Sequence, residues 1–334
     1  MTTVAAPARP LVASLMKYWY AYVGAFLAVW VVLMLGFGLL PEVLREWRMA
    51  LVMILGSLVA GSTPMGGGAV SFPFLVLWLN VPPDIARNFG LVIQALGMTS
   101  AMIFIFCRRV RVQRSVLAWA VAGAAAGMLI GTVAVAPRVP PNFVKLTFTC
   151  MWMSFAILTV VRNRELTAIS GGRNVEGAAA MRSGLIVGLV GGIIASIIGV
   201  GVEMALYTVL VLSYRSDMKI AVPTAVSGMA VASVMGVATH LVIGDIPRDV
   251  VMKFLAAGPI VIFGAPIGTY ILTLVPRIRM LYFISALCVL QFVFTLQSLE
   301  RTWAEWSFVG IAMGLAGSLF YWMYQRGREA NSSR

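Results

Sequence analysis

Long apolar segments dominate this chain and restrict the folds open to it. A helix of about 20 apolar residues crosses a bilayer. Only 11% of the residues are charged, against about 25% in ordinary soluble domains, so a soluble protein of this length could not cover its surface. The sequence therefore predicts an all-α integral membrane protein. The apolar segments are 18–40, 50–79, 88–107, 115–136, 143–161, 183–212, 221–243, 250–275, 281–298 and 303–325.

The net charge of +13 would suit a nucleic-acid partner, but its distribution does not. The basic residues occur in short clusters between apolar segments, which is the pattern that membrane topology imposes. We therefore expect the lipid bilayer as the chain's surroundings and no nucleic acid as a partner.

Two apolar segments, 50–79 and 183–212, are unusually long and are interrupted by glycines. The breaks lie at Pro64 with Gly66–Gly68 and around Gly199–Gly201. Each half has about 11–16 residues and is too short to cross the bilayer alone, so each segment is either a kinked span or a re-entrant hairpin.

Charge favours the hairpins. With two hairpins and a cytoplasmic N-terminus, 17 of the 25 basic residues lie inside. A single crossing by 50–79 would place the four-arginine loop "RRVRVQR" outside, against the positive-inside rule. The sequence thus predicts about eight full spans plus two broken, re-entrant helical hairpins in the cytoplasmic (inner) membrane, with both termini cytoplasmic.

An internal repeat links the two broken segments. An offset of 133 residues aligns Gly66 with Gly199 and Asp84 with Asp217, and "GMLIGT" later matches "GAPIGT". Three crossings separate equivalent points, so the second repeat is expected to be inverted. Inverted repeats with interrupted helices point to a secondary transporter with its site between the repeats. The predicted divisions are an N-terminal tail with the first helix (1–49), repeat 1 (50–161), a cytoplasmic linker (162–182), repeat 2 (183–298) and a last helix with a basic tail (299–334).

The hairpin tips are the candidate substrate site. Non-helical backbone at membrane depth is tolerated where it faces protein or a watery cavity, and the helix that restarts after a tip offers N–H groups to an anion. Alternatively, the glycines only permit close helix packing, and the hydroxyls at the tips bond to their own helices. The side chains of Gln94 and Ser227, in the helices that follow the tips, would then only bond to a neighbouring helix. The candidates are Thr63, Gly66, Gly67, Gly68, Ser71, Gln94, Ser196, Gly199, Gly201 and Ser227, the last as the repeat equivalent of Gln94.

Glu203 is the one acidic residue expected deep in an apolar segment. Such residues are rare and often functional, and an ionised carboxylate would repel an anionic substrate. Protonation of Glu203 would then accompany anion binding and couple transport to a proton. Alternatively, the carboxylate only neutralises the positive end of the restarting helix.

The stretches "GGGAVSFPFLVLWLNVPPDIARNFG" and "GVGVEMALYTVLVLSYRSDMKIAVPTAVSG" resemble the two signature segments of the sulfite exporter TauE/SafE family of membrane permeases. The resemblance implies transport of small sulfur-containing anions, such as sulfite or sulfoacetate, across the cytoplasmic membrane. By motif position, Gly66, Gly67, Gly68 and Pro73 carry over in the first repeat, and Gly199 and Gly201 in the second. Leu206 stands where the second motif would have proline.

Other functions fit the residues less well. A cation- or proton-coupled transporter of another small solute stays open, as does an anion channel. One histidine and three scattered cysteines offer neither a catalytic constellation nor a metal site. We therefore expect neither an enzyme nor a cofactor.

Overall fold

A computed structural model describes residues 9–67, 71, 74–138, 140–169, 174–297 and 302–332 of the 334-residue chain. Every regular element within these ranges is helical. Three π-helical turns lie at Phe74–Trp78, Gly131–Val135 and Val209–Ser213. The helices are α1 Arg9–Gly36, α2 Leu40–Arg45, α3 Trp47–Ser62, α4 Pro83–Cys107, α5 Arg114–Ile130, α6 Pro141–Val161, α7 Asn163–Ala168, α8 Gly177–Ile198, α9 Val202–Thr208, α10 Met218–Ile243, α11 Arg248–Leu274, α12 Arg277–Gln297 and α13 Trp303–Ser332.

Eight helices in the described ranges are long and apolar enough to cross a membrane, namely α1, α4, α5 with its π-helical extension, α8, α10, α11, α12 and α13. This confirms a multi-pass helical membrane protein. The predicted length of about 11–16 residues for each half of a broken segment was wrong for the first half of the second segment. That half is α8, which begins at Gly177 and has 22 residues. The alanines at 178–180, which have the highest helix propensity, extend the helix toward its N-terminus. In contrast, α3 has only 16 residues.

Helices of each repeat pack on helices of the other repeat, and corresponding helices make corresponding pairs. The half-length helix α3 packs on α11, and its counterpart α8 packs on α5. Likewise α4 packs on α11, and α10 packs on α5, while α4 and α10 meet each other in the centre. The helices α6 and α12 pair outside this group, together with α13. Each half therefore completes its core with helices from the other.

Glycines allow the backbones of α5 and α8 to approach closely. A Cβ atom on Gly188 would lie 2.0 Å from the carbonyl oxygen of Ala120, and one on Gly127 would lie 2.2 Å from that of Leu189. No side chain fits at these distances, so the glycines along this contact serve helix packing, as in other membrane bundles.

The arm after each tip ends in the same turn, which supports the internal repeat. The amide of Leu79 donates to Phe74 O at 3.1 Å, and that of Tyr214 donates to Val209 O at 3.2 Å. Each turn then places one non-glycine residue in the left-handed region, Asn80 (φ 51°) and Arg215 (φ 48°).

These turns correspond at an offset of 135 residues, not the predicted 133. Asp217, which precedes α10, therefore corresponds to Pro82, which precedes α4, instead of Asp84. The equivalence of Ser227 with Gln94 was wrong for the same reason, because the arm of the second repeat holds two more residues than that of the first.

Candidate functional site

The first tip lies at the end of α3 and is buried. After Ser62 the chain turns through Thr63 to Gly67. Thr63 stabilises the turn, since its Oγ1 donates to Val59 O at 2.9 Å and accepts from the amide of Met65 at 3.3 Å. Gly66 has φ +66°, a left-handed conformation that glycine adopts without the steric cost borne by other residues. Gly68 lies outside the described residues.

The second tip connects α8 to α9. Gly199 ends α8 in the left-handed region (φ +86°), and its amide donates to Ala195 O at 2.8 Å. Gly201 lies against the backbone of α8, because a Cβ there would stand 2.7 Å from Gly191 O. The restarting helix α9 then carries Glu203, which is completely buried.

Gln94 of α4 joins the two tips. Its Nε2 donates to Gly90 O and to Gly199 O, both at 2.9 Å, so α4 is tied directly to the second tip. Its Oε1 points to the first tip, 2.7 Å from the position that a Cβ of Gly66 would occupy. The Oε1 of Glu203 lies 2.8 Å from that same position. Residues from both tips and from α4 thus meet at one point in the protein interior.

Both oxygens at this point, Gln94 Oε1 and Glu203 Oε1, have no hydrogen-bond partner among the described residues. The same holds for Ser71 Oγ, in a residue whose amide donates to Gly67 O of the first tip at 2.9 Å. The amide orientation of Gln94 follows from its contacts, since Nε2 faces two carbonyl oxygens. The other carboxylate oxygen of Glu203 accepts from the amide of Gly201 at 3.3 Å. Leaving a buried polar group unpaired costs about 1–3 kcal/mol, and such groups call for an explanation in a native protein. A bound proton or ligand would satisfy them.

The family follows from comparison with known proteins. The sequence model of the sulfite exporter TauE/SafE family matches residues 49–294. The chain belongs to the sulfite exporter TauE/SafE family. Comparison with curated proteins and with solved structures gives no match. The TauE/SafE match includes both tips, Gln94 and Glu203.

Two of the candidate hydroxyls in this TauE/SafE protein bond to their own helices. Ser196 Oγ donates to Ile193 O at 2.7 Å and also packs against Gly131, whose Cβ position it would overlap at 2.1 Å. Ser227 Oγ donates to Pro223 O at 2.8 Å. Neither hydroxyl is among the unpaired groups at the meeting point.

A polar network beside the second tip centres on Asp245, a residue that the sequence did not single out. Asp245 receives hydrogen bonds or ion-pair contacts from three side chains: His240 Nδ1 at 2.8 Å, Arg87 Nη2 at 3.6 Å, and Asn88 Nδ2, which donates to the Asp245 carbonyl at 2.8 Å. Arg87 O also lies 3.0 Å from the Cβ position of Gly199. The sequence signal was present, because Asp245 follows the glycine that ends α10, five residues after His240.

Proposed function

We propose that this protein is a secondary transporter that moves a small sulfur-containing oxyanion or sulfonate, such as sulfite or sulfoacetate, across the cytoplasmic membrane by alternating access. The observation that carries this proposal is the convergence of both glycine tips on Gln94 and Glu203. Membership of the TauE/SafE family supports the substrate class. Interrupted helices that bring their broken ends together in the interior are typical of secondary transporters.

We further propose that the two repeats are inverted and that the first tip is a re-entrant hairpin, because α3 has only 16 residues. In the second repeat α8 is long enough to cross, so the second tip is the break of a longer helix. The exchanged packing of α3 on α11 and of α8 on α5 supports a two-fold relation between the repeats. The matched left-handed turns at Asn80 and Arg215 support it independently. Two such halves could rock about the central α4–α10 pair.

The substrate would bind where the tips meet. Gly66 and Gly67 form one side of the proposed site, and Gly199 and Gly201 form the other. Gln94 and Ser71 supply polar atoms, and Gly68, a further candidate, lies outside the described residues. Glycine lets a ligand approach the backbone closely. Of the further candidates, Thr63 would act by holding the first turn, while Ser196 and Ser227 would act through helix packing.

Proton coupling is part of the proposal. Gln94 Oε1 and ionised Glu203 Oε1 are both acceptors near one point, and a negative carboxylate there opposes an anion. When Glu203 is protonated, it can donate a hydrogen bond and it no longer repels the substrate. A proton would therefore bind together with the anion.

The same pair of acceptor oxygens favours a second candidate, a cation-coupled carrier of another small solute. Acceptor oxygens are the ligands of hard cations. In that case a cation would lie between Gln94 and Glu203, and sulfur anions would have no selective effect.

Thermal unfolding of the purified protein distinguishes these two functions. A ligand at 100 times its Kd stabilises the folded state by about 2.7 kcal/mol. We expect sulfite or sulfoacetate to raise the melting temperature more than sulfate or acetate does. The shift should be lost in Gln94→Leu, which frees the second tip, and kept in Ser227→Ala, which removes only a bond within its own helix. A shift with sodium or potassium but with none of the anions would favour the second candidate.

A further inference from the structure

An open apolar groove lies between α3, α11 and α12, and at Val59 and Ser62 it adjoins the start of the first tip. Its volume is about 490 Å³, within the range of about 300–1,000 Å³ that small-molecule sites occupy. Leu55 and Leu58 of α3 form one wall, and Ile271 with Val275 at the end of α11 forms another. Phe283 of α12 faces them.

The groove exists because α3 is short. The chain leaves α3 at Ser62, whereas α11 beside it continues to Leu274. The two helices are in close contact where Thr269 Oγ1 donates to Gly61 O at 3.0 Å. Beyond that point α11 has no α3 beside it, and α12 packs mainly on α6 instead.

One end of the groove is positively charged. Arg279 lines it, and no carboxylate pairs with this side chain in the described part of the chain. Arg277, two residues earlier, differs because its guanidinium binds the carboxylate of Asp217, with Nε 3.0 Å from Oδ1. Lys219 adds a second positive charge near the end of α11, where its Nζ donates to Thr273 O at 2.8 Å.

We propose that this groove binds an anionic phospholipid, with an acyl chain against the leucines of α3 and the phosphate on Arg279. The apolar walls would exclude a soluble anion, while a guanidinium matches the geometry of a phosphate group. Basic residues between helices at the membrane surface are typical of acidic-lipid sites. The proposal is independent of the transported substrate.

The test compares two lipids that have the same acyl chains, phosphatidylglycerol and phosphatidylcholine, added to the protein in uncharged detergent. We expect phosphatidylglycerol to raise the melting temperature by about 2–4 °C and phosphatidylcholine to have a smaller effect. Arg279→Gln should abolish the difference between the lipids. Arg111→Gln, which removes an exposed arginine from the loop after α4, should keep it.

Three results would overturn the proposal: equal shifts with the two lipids, a lipid difference that survives Arg279→Gln, or the same shift with soluble glycerol phosphate. If Arg279→Gln does not fold, Leu55→Trp provides the second test. Leu55 is 65% exposed, so an indole there fills the groove and leaves the arginine in place. Loss of the lipid difference in Leu55→Trp supports the site, and its retention contradicts it.

Discussion

Glu203 combines a structural contact with the proposed role in proton coupling. One carboxylate oxygen accepts from the amide of Gly201, and the other has no partner in the described part of the chain. A helix cap explains the first oxygen and leaves the second unexplained. Proton coupling explains the second, because a proton on that oxygen provides a donor toward Gln94.

Replacing Glu203 by glutamine is expected to remove the pH dependence of transport. The glutamine amide has nearly the same shape as the carboxyl group but does not titrate. The transport rate of Glu203→Gln should therefore stay constant over the pH range in which the wild-type rate changes. The measurement is initial uptake into proteoliposomes at a series of pH values. Glu176→Gln, at an exposed carboxylate before α8, is the control and should titrate like the wild type. A wild-type pH profile in Glu203→Gln would contradict proton coupling.

Sequence alone could single out Glu203, Gln94 and the glycines, because charge, polarity and backbone freedom can be read position by position. It could not predict that Gln94 bonds to Gly199, since 105 residues separate them. The same limit explains why Ser196 and Ser227 were expected at the substrate site although their hydroxyls bond within their own helices. Their identity suited a substrate site, but the direction of each hydroxyl depends on local packing that an apolar pattern does not encode.

At the scale of the helices, close contact between α3 and α11 holds the first tip in position. A Cβ atom on Gly61 would lie 1.8 Å from the carbonyl oxygen of Ala265. Because the obstacle is backbone, the two helices would have to move apart.

We therefore expect Gly61→Ala to lower the free energy of unfolding by about 1–3 kcal/mol, the usual cost of overpacking. Gly310→Ala is the control. It lies in α13 with no atom within 4 Å of its Cβ position, and alanine in a helix is about 0.5–1 kcal/mol more favourable than glycine. Thermal unfolding in detergent measures both. Equal melting temperatures for the two variants would show that the α3–α11 contact does not constrain the fold.

Element boundaries were predictable where composition changes sharply. The end of α3 was predictable from the proline and the glycines that follow it, Pro64 and Gly66–Gly68. The start of α8 was missed because Arg182 suggested the end of a span, whereas a helix passes through a single arginine without interruption. The two-residue shift between repeats was also missed, because an ungapped alignment cannot detect an insertion within an arm.

At the scale of the whole molecule, the direction of insertion is a prediction from charge. Cysteine labelling tests it cleanly, since Cys107, Cys150 and Cys288 are all buried. We expect Arg111→Cys to react with a membrane-impermeant maleimide only from the cytoplasmic side. Pro247→Cys, in the turn between α10 and α11, should react only from the outside. The reverse pattern would show that the basic loops do not set the orientation, and labelling of both from one side would contradict the predicted number of crossings.

Sulfite flux in proteoliposomes shows whether substrate passes the point where the two tips meet. Gly66→Ala places a methyl group within 2.8 Å of Gln94 Oε1 and Glu203 Oε1. Gly177→Ala is matched to it, because Gly177 has φ +65° and no atom within 4 Å of its Cβ position. We predict saturable flux in the wild type and in Gly177→Ala, and a rate at least about tenfold lower in Gly66→Ala, equivalent to about 1.4 kcal/mol. Equal saturable flux in the two variants would contradict a substrate site at the tips.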